Sequence, residues 1–183
     1  TDGITNSILK VGALSGNGVF QGAYNNAGPN VLETGHLDTN TTFSGIIAGG
    51  NAGTNVALTK VGTGTLTLSG INLYTGTTSI NGGAISIGAN NHLGGNDSQV
   101  TLNGGTLKTT AGVTNTHPFT IGAGGGTINV TTTGQLFFNI GDLLRGSGAI
   151  SLTGTGTLTP NSGNLRLNQY NTYSGDLTVK DGG

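Results

Sequence analysis

Apolar residues in this chain alternate with small polar ones in short runs, and the runs recur at a nearly fixed distance. Four segments share the form strand, Gly-rich turn, strand: TTSI-NGG-AISI (77–87), QVTL-NGG-TLKT (99–109), PFTI-GAGGG-TINV (118–130) and FFNI-GDLLRGSG-AISL (137–152). Ile85, Leu107, Ile128 and Ile150 follow one another at 22, 21 and 22 residues, and an earlier copy, VALT-KVGTG-TLTL (56–68), places Leu66 19 residues before Ile85. The period within each run is two, which puts alternate side chains on opposite faces of a strand. Before the turn the inward sets are Thr78, Val100, Phe119, Phe138 and Ile80, Leu102, Ile121, Ile140. After it they are Ile85, Leu107, Ile128, Ile150 and Ile87, Thr109, Val130, Leu152; fourteen of the sixteen are apolar. Ser79, Thr101, Thr120, Asn139, Ala84, Thr106, Thr127 and Ala149 lie between them and are expected to face out.

One such pair of strands cannot bury its apolar face alone, whereas stacked copies share a continuous core. A repeat of about 20 residues is too short for a βαβ unit of roughly 30. The Thr and Gly content, with no 3.6-residue period, disfavours helices. The expected fold class is therefore all-β, a parallel β-helix with rungs of about 19–22 residues and a rod on the order of 40 Å long for eight rungs. Asn81-Gly82-Gly83 and Asn103-Gly104-Gly105 suit its corners, where φ must turn positive. The same Asn-Gly pairs could close antiparallel hairpins, so a meander or sandwich is the rival; it should give repeats that alternate in direction. One placement stays open: AISLTGTGTLT (149–159) aligns with ALTKVGTGTLT (57–67), which puts Ile150 before a turn, whereas the 22-residue ladder puts it after one.

Composition narrows the function. Charged residues are 7% of the chain and Gly numbers 37, but the net charge of -1 and the regular apolar spacing argue against disorder. Six scattered Lys and Arg make no basic stripe for nucleic acid. No apolar run reaches the ~20 residues of a membrane span, so no membrane insertion is expected. The absence of Met suggests a piece of a longer protein, and the absence of Cys removes disulfides and thiolate metal sites.

At LTKVGTGTLTLSGINLYTGTTSINGGAISIG (58–88) the chain resembles the passenger-associated transport repeat of bacterial autotransporters, matching it at Leu58, Lys60, Gly62, Gly64, Leu66, Leu68, Gly70, Asn72, Tyr74 and Gly76. FSGIIAGG (43–50) and HLGGNDSQVTLNGGTL (92–107) are similar to the family's flanks. A second copy at 149–183 departs from the pattern, with Pro160 in place of a core Leu and an insertion carrying Arg166. The resemblance implies a right-handed β-helical passenger, associated with the cell surface and the Gram-negative outer membrane. It implies carriage by the protein's own C-terminal β-barrel and adhesion as the common role. The expected organisation is a single β-helix segment over 1–183, a fragment of a longer passenger, with repeat-like units at 43–88 and 138–183.

No catalytic, cofactor or metal site is expected. Of the seven acids, Asp2, Glu33, Asp38, Asp97, Asp142, Asp176 and Asp181, only Glu33 and Asp38 are close in sequence, and the three histidines lack metal-ligand spacing. Gly141-Asp142-Leu143 lacks the serine of an autotransporter protease, and 93–100 holds one truncated copy of a calcium nonapeptide that works only in tandem. The most ligand-like stretch is QGAYNNAGPNVLETGHLDTNTTF (21–43), read as a long loop without a clear strand pair. It carries Tyr24, Glu33, His36 and Asp38, with residues 36 and 38 placed to share a strand face. Arg145, Arg166, Asn168 and Tyr170 complete the candidate adhesive surface, and Tyr74 and Tyr173 are expected to stack at turns. The expected partner is a host surface protein or glycan, or a like chain. The alternative is a polysaccharide-binding or -degrading β-helix, and a third role is templating folding during secretion.

Overall fold

The computed structural model describes residues 7–22, 30–50, 55–95, 98–131, 135–138, 144–153, 157–160, 172–173 and 177–179. Each coil of the chain visits three sides in turn. The first side is an eight-stranded sheet of Ile8–Val11, Asn30–Thr34, Val56–Lys60, Thr78–Ile80, Val100–Leu102, Phe119–Ile121, Leu144–Gly146 and Thr172–Tyr173. The second is a seven-stranded sheet of Thr41–Phe43, Thr65–Leu68, Ala84–Ile87, Thr106–Thr109, Gly126–Val130, Ile150–Thr153 and Leu177–Val179. The third side holds the pair Val19–Gln21 and Ile46–Ala48 near one end and Gly112–Asn115, Gln135–Phe138 and Thr157–Pro160 near the other. Between these two sets it is bridged by residues 71–74 and a 3-10 turn at Asn90–Leu93. Every strand pairing among the described residues is parallel. The fold is a β-solenoid, and an antiparallel meander or sandwich is excluded.

The interior follows the period-two pattern. Ile85, Leu107 and Ile128 stand in one column, each fully buried, and Leu66 continues it above them. Leu58, Thr78, Val100 and Phe119 form the facing column on the first side. Burying a Leu or Ile side chain contributes roughly 1.5–3 kcal/mol, and here Ile85 and Leu107 each meet apolar neighbours on the rungs above and below. The Asn-Gly-Gly corners behave as expected, with Gly83 at φ 56 and Gly104 at φ 100.

Two expectations are corrected. Phe138 does not continue the column of Phe119, and Ile121 is not followed by Ile140. Phe119 pairs with Leu144 and Ile121 with Gly146, while Phe138 pairs with Asn115 on the third side; Ile140 lies outside the described residues. The segment 137–152 is thus two sides of the coil with a corner between, because a rung carries three strands where the sequence pattern displays two. Ile150 lies after its turn, in the second sheet, but it stands beside Gly126, and Leu152 stands beside Ile128. The steps from Val130 to Gln135 and from Phe138 to Leu144 are each two residues longer than their counterparts one rung earlier, Thr109 to Gly112 and Asn115 to Phe119, so Leu152 and not Ile150 comes level with Ile128 and the same face stays inward.

The second repeat is set one side further round the rod than the first. Thr78–Ile80 lies in the first sheet, whereas its sequence counterpart Leu177–Val179 lies in the second.

Candidate functional site

The stretch read as a long loop is largely strand. Asn30–Thr34 is part of the first sheet and Thr41–Phe43 of the second. Gly35, at φ 115, ends the first of these, so His36 and Asp38 sit in the corner and do not share a strand face. Glu33 points outward from the strand. Its carboxylate accepts hydrogen bonds from Lys10 Nζ at 3.1 Å and from the His36 ring Nε2 at 2.8 Å. Lys10 is the partner that the sequence did not reveal; it stands beside Glu33 one rung away. Its ammonium, aided by His36, holds the Glu33 carboxyl below the ordinary carboxylate range against a smaller opposing effect of burial. Asp38, at φ 56, is committed elsewhere, its Oδ1 accepting from the Thr63 backbone N–H at 2.6 Å in the next rung. Asn40 braces Thr65 N–H in the same way at 2.8 Å. The two carboxylates therefore serve as an ion-pair anchor and a corner brace.

Arg145 lies on the same outward column as Glu33. The order down the first sheet is Lys10, Glu33, Thr59, Ser79, Thr101, Thr120, Arg145. Five rungs separate Glu33 from Arg145, about 24 Å at the usual strand spacing, so the structure does not bring them together. Tyr24, Arg166, Asn168 and Tyr170 lie outside the described residues. Among the described residues no group of three or more His, Cys, Asp or Glu side chains could hold a metal ion.

The polar residues missed by the sequence reading are internal. Lys60 ends the alternation Val56, Leu58, Lys60 and so points into the core, where it is 1% exposed. Its ammonium donates to the Val61 carbonyl at 2.6 Å and lies near those of Gly62 (3.4 Å) and Gly82 (3.5 Å), capping the corner from within. Burial pushes its pKa down, and Asp38 partly opposes this. The period-two count was the available signal, but a Lys before Val-Gly reads as a turn. Tyr74 is fully buried with its hydroxyl 2.7 Å from Thr78 Oγ1, and burial raises its phenol pKa. The His117 ring, also buried, faces the Ser98 carbonyl with Nδ1 (2.8 Å) and the Asn90 carbonyl with Nε2 (3.1 Å).

What remains outside is a ladder of small polar side chains. Thr59, Ser79, Thr101 and Thr120 rise at rung spacing on the first side; Thr67, Ser86, Lys108 and Asn129 do so on the second. All but Ser86, which is buried, are partly exposed.

The Glu33 pair carries a pH prediction. A carboxyl lowered in the folded state stabilises above its unfolded value, near 4.5, and that stability is lost as pH falls through the lower folded value. With Lys10 61% exposed, the effect is screened and amounts to less than ~1 kcal/mol. Glu33→Gln should therefore remove this small contribution at neutral pH, leave the acid end of a stability–pH profile unchanged, and so flatten the limb between them. An unchanged acid limb would show that the pair contributes nothing.

Comparison with known proteins agrees with this architecture. The passenger-associated-transport-repeat family matches residues 58–87 and 161–183. Over 59 residues the chain is 48% identical to the protein named Adhesin BmaC autotransporter from Brucella suis biovar 1 (strain 1330), a stretch covering 32% of this chain and 2% of that protein. No solved structure matches the chain. The first matched segment contains Lys60, Asn72 and Tyr74, the polar side chains that the fold turns inward. Residues 58–87 and 161–183 match passenger-associated transport repeats, and the chain that carries them is a parallel β-solenoid similar in sequence to an autotransporter passenger.

Proposed function

We propose that this segment is a structural and adhesive part of a surface-displayed passenger, and that its repeats assist folding during secretion. The observation that carries the reading is the outward ladder from Thr59 to Thr120, held at fixed spacing by the first sheet. Weak hydroxyl contacts repeated along a rigid rod gain strength by multivalency, and a host glycan, a host surface protein or a like chain would each offer a repeating partner. Glu33 and Asp38 are engaged in internal bonds, which supports binding over bond cleavage. The relative named an adhesin matches across about a third of the chain, which supports the same reading. In the full-length protein the segment would be carried to the outer membrane by a C-terminal β-barrel.

The test is adhesion of cells displaying the full-length protein, with and without the ladder. Replacing Ser79, Thr101 and Thr120 together by Lys should leave the amount displayed unchanged and reduce binding to host cells or to like cells. Unchanged binding at equal display would leave a spacer role. Release of reducing ends from a polysaccharide, abolished by Glu33→Gln or Asp38→Asn, would overturn the non-enzymatic reading.

A further inference from the structure

The apolar columns do not by themselves choose a register. Slipping a rung by one residue would turn its apolar face outward, but slipping it by two keeps that face inward. The rung at Ile150–Thr153, with Ile150 beside Gly126 and Leu152 beside Ile128, shows how readily the pattern accepts either choice. Something else must select among registers two residues apart.

Asn72 is placed to do so. It is 2% exposed on the third side, where regular strands give way to residues 71–74. Its Oδ1 accepts from Ile47 N–H at 2.8 Å on the rung above, and its Nδ2 donates to the His92 carbonyl at 2.7 Å on the rung below. Backbone bonds run beside these, from Leu73 N–H to Ile47 and from Asn72 N–H to Asn91. One side-chain amide thus takes the place of ladder bonds in both directions. A two-residue slip on either side would put Leu73 or a neighbouring apolar residue against a different backbone group and leave the amide unpaired in the interior, where that is costly. Buried amides fix register in this way in coiled coils.

We infer that Asn72 is a register lock, and that the transport repeat aligns the rungs on both sides of itself through this one internal side chain. The inference deepens the folding role proposed above and rests on it for its meaning in secretion, but the lock is testable on the 183-residue chain alone. The Leu73-to-Ile47 bond places Asn72 beside Ile47, hence Ile71 beside Ile46 on the outer surface, where both are exposed. Cysteines at 46 and 71 should cross-link on mild oxidation; cysteines at 46 and 73, offset by two residues, should not, because Cα atoms more than about 7 Å apart cannot be bridged. Adding Asn72→Leu should raise cross-linking of the 46/73 pair by about tenfold or more, the population change expected from one buried hydrogen bond. A folded Asn72→Leu chain that still cross-links only at 46/71 would overturn the inference. Should that variant not fold, Asn72→Asp keeps the acceptor for Ile47 N–H; it should cross-link at 46/71 alone with slow hydrogen exchange at Ile47. Equal cross-linking of both pairs in Asn72→Asp would likewise overturn it. Loss of adhesion or display leaves these readings untouched, so the two ideas fail separately.

Discussion

Leu107→Ala is expected to lower the unfolding free energy by about 3 kcal/mol, seen as a lower urea midpoint with an unchanged slope. The size follows from where Leu107 stands. It is fully buried between Ile85 and Ile128, and its rung is held by parallel ladders on both edges. In a globular core, neighbours relax into part of the space left by a lost side chain. Here the rungs are pinned at strand spacing, so the void stays open and the cost lies in the upper part of the usual range. Thr101→Ala, on the outward column of the neighbouring side, should change stability by less than ~0.5 kcal/mol. A loss below ~1 kcal/mol for Leu107→Ala would mean that the rungs yield more than their hydrogen bonding implies.

Gly62→Ala is expected to be as damaging or worse, with a loss of about 3 kcal/mol or more and aggregation on expression. Gly62 sits at φ 69, and a Cβ there would lie 2.1 Å from the Gly35 carbonyl oxygen and 2.5 Å from Asp38 Oδ1. The obstacle is backbone of the stacked corner above, which cannot swing aside as a side chain can. A comparison separates the two causes of damage. Gly16 has φ 103 but open space around its Cβ position, so Gly16→Ala carries backbone strain alone, about 1–2 kcal/mol. Gly112 has neither a positive φ nor a neighbour within 4 Å, and Gly112→Ala should be nearly neutral. If Gly62→Ala and Gly16→Ala cost the same, close stacking of the corners is not what demands glycine.

Chemical denaturation with a well-resolved baseline is the suitable measurement for both series. A stack of rungs is quasi-one-dimensional and can lose its ends before its middle. The residues concerned should therefore be read by hydrogen exchange as well, because an averaged transition can hide local opening.

The columns Thr78–Val100–Phe119 and Ile85–Leu107–Ile128 were legible in the sequence because a period of two and a tight glycine corner both leave a local signature. The third side was not. Its strands are short, and in and just after the first repeat it is made by residues 71–74 and the 3-10 turn Asn90–Leu93, which have no alternation to read. Without it, a rung looked like two strands, and Phe138 was assigned to the wrong side. The register of Ile150 was hidden for a different reason: spacing measures chain length, and the longer connections into and out of the third side absorb residues without advancing the strand. The candidate site was partly legible. Glu33 and His36 do meet, but Lys10, which completes their cluster, is one rung away and 23 residues distant. Lys60, Asn72 and His117 were obscured by their own polarity, since a polar residue beside glycine is more economically read as part of a solvated turn.

Because the second repeat is set one side further round than the first, the two copies look out from the rod at different azimuths, about a third of a revolution apart on a three-sided coil. A flat surface pressed against the rod would therefore engage one copy and miss the other. Repetition along this chain thus places equivalent groups on two different sides of the axis, and the rod offers the same kind of contact in two orientations.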